Sequence, residues 1–192
     1  MKKFLQPTTY NLKATQGFTL IETLVALAIF STSIVALISV TGSGVANTNY
    51  AKNKFIASYL AQEGVELVRN IRDTNSLLLG PWADFLGGSD GTKGVGKCIS
   101  LIGCDIDPKT LTVSPCPNQN GCPLFYDYTD TGDGFYTYPT GATSSPFTRK
   151  ITVTDVAQPS SEEVNITSTV SWNQGGATHR TSYSENLLNW IQ

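Results

Sequence analysis

Glu22 is the only ionisable residue between Phe18 and Val40, in a run that reads FTLIETLVALAIFSTSIVALISV. A charge near the end of an apolar span costs less than the roughly 2.5–3.5 kcal/mol assigned to the centre of a membrane helix, yet it still needs a partner or a route to the interface. Four thiols follow at Cys98, Cys104, Cys116 and Cys122. Both Cys-x5-Cys spacings fit zinc poorly, because zinc knuckles space their ligands by about two to four residues, so disulfides are the expected chemistry. Spacing leaves the connectivity open. Local pairs would join 98 to 104 and 116 to 122. Nested pairs would join 104 to 116 and 98 to 122 across a hairpin turning at Asp107-Pro108-Lys109-Thr110, and their constant register mildly favours them. Asp127, Asp130 and Asp133 could offer hard oxygens to calcium, but their spacing is not that of an EF-hand, and hairpin-turn aspartates are the simpler reading. No metal site is expected. His179 has no discernible acid or nucleophile beside it and reads as a surface residue of a strand.

The elements that must position these residues follow from charge and hydropathy. The chain has 192 residues, thirteen Lys and Arg against fifteen Asp and Glu, and 15% charged residues. Lys2, Lys3 and Lys13 lie in residues 1–17, which contain no acid, so the rest carries a net charge of −5. Nothing resembles a basic stripe for a phosphate backbone, a His-based triad or a phosphate-cradling Gly loop, so nucleic-acid binding and enzymatic activity are not expected, and no cofactor is implied. The run from Phe18 to Val40 exceeds the about 20 apolar residues needed to cross a bilayer, and the basic leader puts its N-terminal side in the cytoplasm with the remainder outside. Three segment types share this outline. A secretory signal peptide has an apolar core of only about 7–15 residues, although Gly44 and Ala46 could flank a cut near Asn47. An uncleaved anchor explains length and charge but not Glu22.

The stretch Gly17-Phe18-Thr19-Leu20-Ile21-Glu22 resembles the processing site of type IV prepilins and type II secretion pseudopilins. The resemblance covers the leader and the span. It implies cleavage between Gly17 and Phe18 by a prepilin peptidase, N-methylation of Phe18, and an assembly role for Glu22 as partner of a neighbouring subunit's α-amine. The 17-residue leader is longer than is common for the Phe-starting branch. Residues 18 and 22 are also i and i+4, so a pair within one helix is geometrically possible. The implied partners are the peptidase, other pilin or pseudopilin subunits, the inner-membrane assembly machinery and the lipid bilayer.

Beyond the span, Ile56, Tyr59, Leu60, Leu67, Val68 and Ile71 recur at helical steps, with Glu66 and Arg69 as a same-face pair. The helix should end around Asp73 to Ser76, and a continuous helix from Phe18 to Thr74 would be on the order of 85 Å long. Gly42 and Gly44 predict local melting. From residue 77 onwards the chain reads as loop and strand, with strand candidates at Leu124–Tyr128, Phe135–Tyr138, Thr148–Val156, Val164–Trp172 and Thr178–Ser184 arranged as an antiparallel meander. The expected fold is α+β and pilin-like: a basic leader (1–17), a transmembrane helix (18–40), its amphipathic continuation (41–76) and an extracytoplasmic β-rich domain with disulfides (77–192). Its apolar sheet face should pack on the helix stripe. The Gly-rich, disulfide-bearing region suggests a minor subunit. The alternative is an uncleaved, signal-anchored binding domain whose aromatics, such as Trp82, Tyr126, Tyr136 and Tyr138, line a ligand surface.

Overall fold

A computed structural model describes residues 17–78, 80–87, 94–127, 134–138, 143–155 and 162–189. The basic leader before Gly17 therefore lies outside the described residues, as do Asp130 and Asp133. The chain divides into two compact units, one ending at Asn47 and one starting at Thr48.

In the first unit, helix α1 (Leu20–Leu77) begins. Its apolar side chains here are exposed from Leu20 to Val40, and an 18-residue window reaches a mean hydropathy of 2.3. Several hydroxyls in this stretch are satisfied within the helix. Ser31 and Ser33 donate to the Leu27 and Ile29 carbonyls at 2.7 and 2.8 Å, and Thr41 donates to the Leu37 carbonyl at 2.5 Å. A helix whose polar groups bond inward is what a bilayer interior requires. The expected melting at Gly42 and Gly44 is not found: both are helical. A Cβ at either would meet no tertiary neighbour within 4 Å, so the hydrogen-bonded turns on either side carry the helix through against the about 1 kcal/mol propensity cost of each glycine.

The second unit is α+β. Here α1 buries Ala57, Leu60, Ala61, Gly64, Val65, Leu67, Val68 and Ile71. The stripe is thus richer in small residues than the bulky pattern suggested, while Tyr59 is exposed. The helix ends at Leu77, where the Asn75 side-chain amide donates to the carbonyls of Gly80 and Pro81, and the Gly80 amide donates back to the Asn75 carbonyl at 2.9 Å. A short helix α2 (Trp82–Leu86) and a 3-10 turn (Gly96–Cys98) follow.

Among the described residues, seven strands form one antiparallel sheet: β1 (Cys104–Ile106), β2 (Val113–Pro115), β3 (Cys122–Asp127), β4 (Phe135–Thr137), β5 (Thr143–Asp155), β6 (Glu163–Gln174) and β7 (Ala177–Leu188). Only β5, β6 and β7 form the expected meander. The β1/β2 and β3/β4 hairpins lie end to end along the other edge of β5, with Cys104 opposite Ile151 and Cys122 opposite Arg149. The ladder between β3 and β5 shifts register between Pro123 and Phe125, beside Pro146 of β5, which has no N–H to give it. Gly175 and Gly176, both at positive φ, make the two-residue β6–β7 turn that the strand twist favours.

Alternation along β6 buries Val164, Ile166, Ser168, Val170 and Trp172. Two apolar clusters result. One gathers Val65, Val68, Ile71, Phe85, Ile151, Val153, Val164 and Ile166, the other Ala57, Leu60, Ala61, Leu124, Phe147, Val170 and Trp172. Between them along β5 and β6 stand Arg149 and Ser168, both fully buried. Arg149 donates to Glu63 Oε2 at 2.7 Å, to Tyr138 Oη at 2.8 Å, and to the carbonyls of Leu60 and Ile106, each at 3.3 Å. A buried guanidinium is tolerated only with this degree of hydrogen bonding. Burial pushes the Tyr138 hydroxyl up to about 12 despite the adjacent guanidinium. Gly64 makes the close approach possible: a Cβ there would strike Ser168 Oγ and come within 3.3 Å of Arg149 Cδ.

Candidate functional site

The chain from Gly17 to Thr19 precedes the helix and is exposed, with Phe18 at 81%. Thr19 starts the helix. Its hydroxyl accepts from the Glu22 amide at 3.3 Å and its carbonyl accepts from the Thr23 amide at 3.2 Å, the geometry of an N-cap with an acid three positions on. Glu22 therefore occupies the first turn, where the free amides and the helix dipole favour a negative charge. The Thr-x-x-Glu spacing carried this signal, and reading Glu22 only as a charge in an apolar run misses it. The intrachain i, i+4 pairing also changes: α1 begins at Leu20, so Phe18 is not in the helix and lacks that geometry.

The cysteines pair locally, Cys98 with Cys104 and Cys116 with Cys122. The nested pairing is thereby corrected. The β1/β2 hairpin does turn after Ile106, but Cys104 faces Pro115 rather than Cys116, and a one-residue offset sends a side chain to the opposite face of a strand pair.

Glu66 and Arg69 form the expected ion pair at 2.5 Å, and Arg69 extends it to Glu185. The hydrogen bond from Arg69 to Glu185 leads in holding the guanidinium above its ordinary range. Asp127, the described member of the aspartate triplet, pairs with Lys109 at 2.8 Å. Among the described residues no group of three or more metal-ligating side chains occurs. His179 is not a plain surface residue. It is half-buried opposite Trp172, with ring centroids 5.4 Å apart, and meets the Tyr50 ring edge-on at 5.0 Å. The aromatics offered as a ligand surface instead pack among themselves. Trp82 lies 4.8 Å from Phe85, Tyr126 and Tyr136 meet edge-on at 5.0 Å, and Tyr138 holds Arg149. Sequence reasoning missed Arg149, although its inward parity with Phe147, Ile151 and Val153 was a legible signal.

A capped acid at the start of an exposed apolar helix long enough to cross a membrane, joined in sequence to an α+β unit, is consistent with a pilin-like fold. Residues 12–38 match the family model of the prokaryotic N-terminal methylation motif, the signature of type IV pilins and pseudopilins. The N-terminal segment thus carries the signature found in type IV pilin and pseudopilin precursors, and that signature points to a structural rather than an enzymatic protein. No curated protein and no solved structure matches the chain.

Proposed function

We propose that the chain is a structural subunit, a minor pilin or minor pseudopilin, of a type IV pilus or a type II secretion pseudopilus. A prepilin peptidase cuts between Gly17 and Phe18, releasing residues 1–17, and Phe18 is then N-methylated. The segment 18–40 holds the subunit in the membrane, its N-terminal side cytoplasmic, until the inner-membrane machinery assembles it with other subunits. Residues 41–76 continue the helix and 77–192 form the external domain. Glu22 serves assembly by meeting a neighbouring subunit's α-amine, a cation whose reference pKa is about 7.7–8.0.

The observation that carries this reading is the methylation-motif match over residues 12–38, which includes Gly17, Phe18 and Glu22. An exposed bond outside regular structure is accessible to a peptidase, which supports the same reading. The test is the intact mass of the full chain extracted from membranes after co-expression with a prepilin peptidase. A species starting at Phe18, with or without one methyl, is expected. A full-length species would refute processing and favour an anchored binding domain, and a start near Asn47 would identify a conventional signal peptide.

A further inference from the structure

The solvent face of the β5–β6–β7 meander has an unusual chemistry. In register, every position on that face from the Thr154/Asn165/Asn186 row to the Thr148/Ser171/Arg180 row carries a hydroxyl, an amide or a cation. The hydroxyls are ordered in pairs, Thr167 with Ser184 at 2.8 Å and Thr169 with Ser182 at 2.9 Å. Toward the β6–β7 turn this face sinks into a cavity of about 640 Å³, walled by Gln119 and Asn120 of the loop that the Cys116–Cys122 disulfide closes. Among the described residues, Lys150 and Arg180 are its charged lining residues and no carboxylate lines it. Lys150 is held in place by donating to the Leu101 carbonyl at 2.6 Å and the Gln119 carbonyl at 3.4 Å, which leaves one of its three donors for a ligand. Arg180, exposed on β7, stands two strands away, on the order of 10 Å by strand spacing.

We infer that this groove binds an acidic oligosaccharide, a polyhydroxylated chain bearing carboxylate or sulfate groups. Its volume lies in the range of about 300–1,000 Å³ typical of ligand clefts. Hydroxyls and amides from three strands match sugar hydroxyls in both donor and acceptor capacity, and the two cations without a lining acid match anionic substituents spaced along the chain. The alternatives fit less well. A protein partner would need apolar or aromatic anchors, whereas Trp172, the one aromatic among the described lining residues, is 2% exposed. Single-stranded nucleic acid would need an exposed stacking platform and more than two cations.

The test uses the full chain in detergent micelles with fluorescent short oligosaccharides: a polyuronate, a sulfated glycosaminoglycan fragment and neutral maltotetraose, beside a labelled single-stranded DNA oligomer. Saturable binding of the polyuronate or the sulfated chain is expected, and whichever binds identifies the anion. Arg180→Gln should weaken it at least tenfold with an unchanged melting temperature, while Arg180→Lys retains most of it. The inference is overturned if neither acidic chain binds, if Arg180→Gln binds as well as wild type, if maltotetraose competes equally, or if only DNA binds.

Discussion

At the scale of single residues, the place of Glu22 at the helix start is separable from the assembly role proposed for it. Its amide is capped by Thr19, and its place in the first turn of α1 puts an acid near the positive end of the helix, an arrangement worth about 0.3–1 kcal/mol to the helix start. That local contribution is too small to account for an assembly role. Glu22→Ala should therefore be processed at the wild-type rate yet enter sheared filaments at least tenfold less, as read by immunoblot. Wild-type incorporation would contradict the proposed role. Asp105 on β1 gives a second test. Burial, opposed by the nearby Arg149 charge, pushes its carboxyl up to about 6 from an ordinary 3.8. The folded state then holds the proton more tightly than the unfolded chain, so this group's contribution to stability falls as pH rises from about 4 to about 6. Asp105→Asn should flatten that dependence and raise stability at pH 7 by about 1 kcal/mol, discounted for partial exposure, with little effect at pH 4. Thermal melts across this pH range check it.

At the scale of elements, the contact between α1 and the sheet depends on a missing side chain. Ala is a better helix former than Gly by about 1 kcal/mol, so propensity alone predicts that Gly64→Ala stabilises. The position says otherwise, because a Cβ would strike Ser168 on β6. Gly64→Ala should destabilise the second unit by about 1–3 kcal/mol, and adding Ser168→Gly should recover most of the loss. Urea titrations of the single and double variants decide it. The disulfides act on elements too. Cys116–Cys122 closes a loop with a sequence separation of six, beside the hairpin formed by β3 and β4. In the chain-entropy picture a loop this short contributes about 2 kcal/mol, so Cys116→Ser with Cys122→Ser should lower stability by roughly that amount.

At the scale of the whole second unit, a polar layer separates two apolar clusters. Arg149 reaches from β5 to α1, to Tyr138 just past β4 and to the Ile106 carbonyl of β1. One guanidinium thus ties the helix to both hairpins. Such a layer adds little net stability over a well-packed apolar one, but removing one partner is costly because the remaining charge stays buried. Glu63→Ala should cost about 3 kcal/mol, the low end for a broken buried pair because the Glu63 side chain is 37% exposed. Arg149→Met with Glu63→Leu should recover stability if the layer serves specificity rather than stability. Equilibrium unfolding of both variants separates the two roles.

Local chemistry made much of this protein legible without coordinates. The basic leader, the apolar run and the Gly17/Phe18/Glu22 spacing are each encoded in contiguous residues, and membrane partition acts on such runs. The strands from β3 onwards were readable for the same reason, since alternation is a property of neighbours, whereas β1 and β2, of three residues each, are too short to show it. Other features depend on residues far apart in the chain. The order of strands, with two hairpins sharing one edge of β5, turns on contacts that no local pattern specifies. The disulfide partners turned on a one-residue register in β1/β2, and the burial of Arg149 on how closely Gly64 lets the helix approach. Sequence determined which segments could be helix, strand and membrane span. Tertiary structure decided which faces meet, because burial and hydrogen-bond satisfaction are settled only when distant residues share the same space.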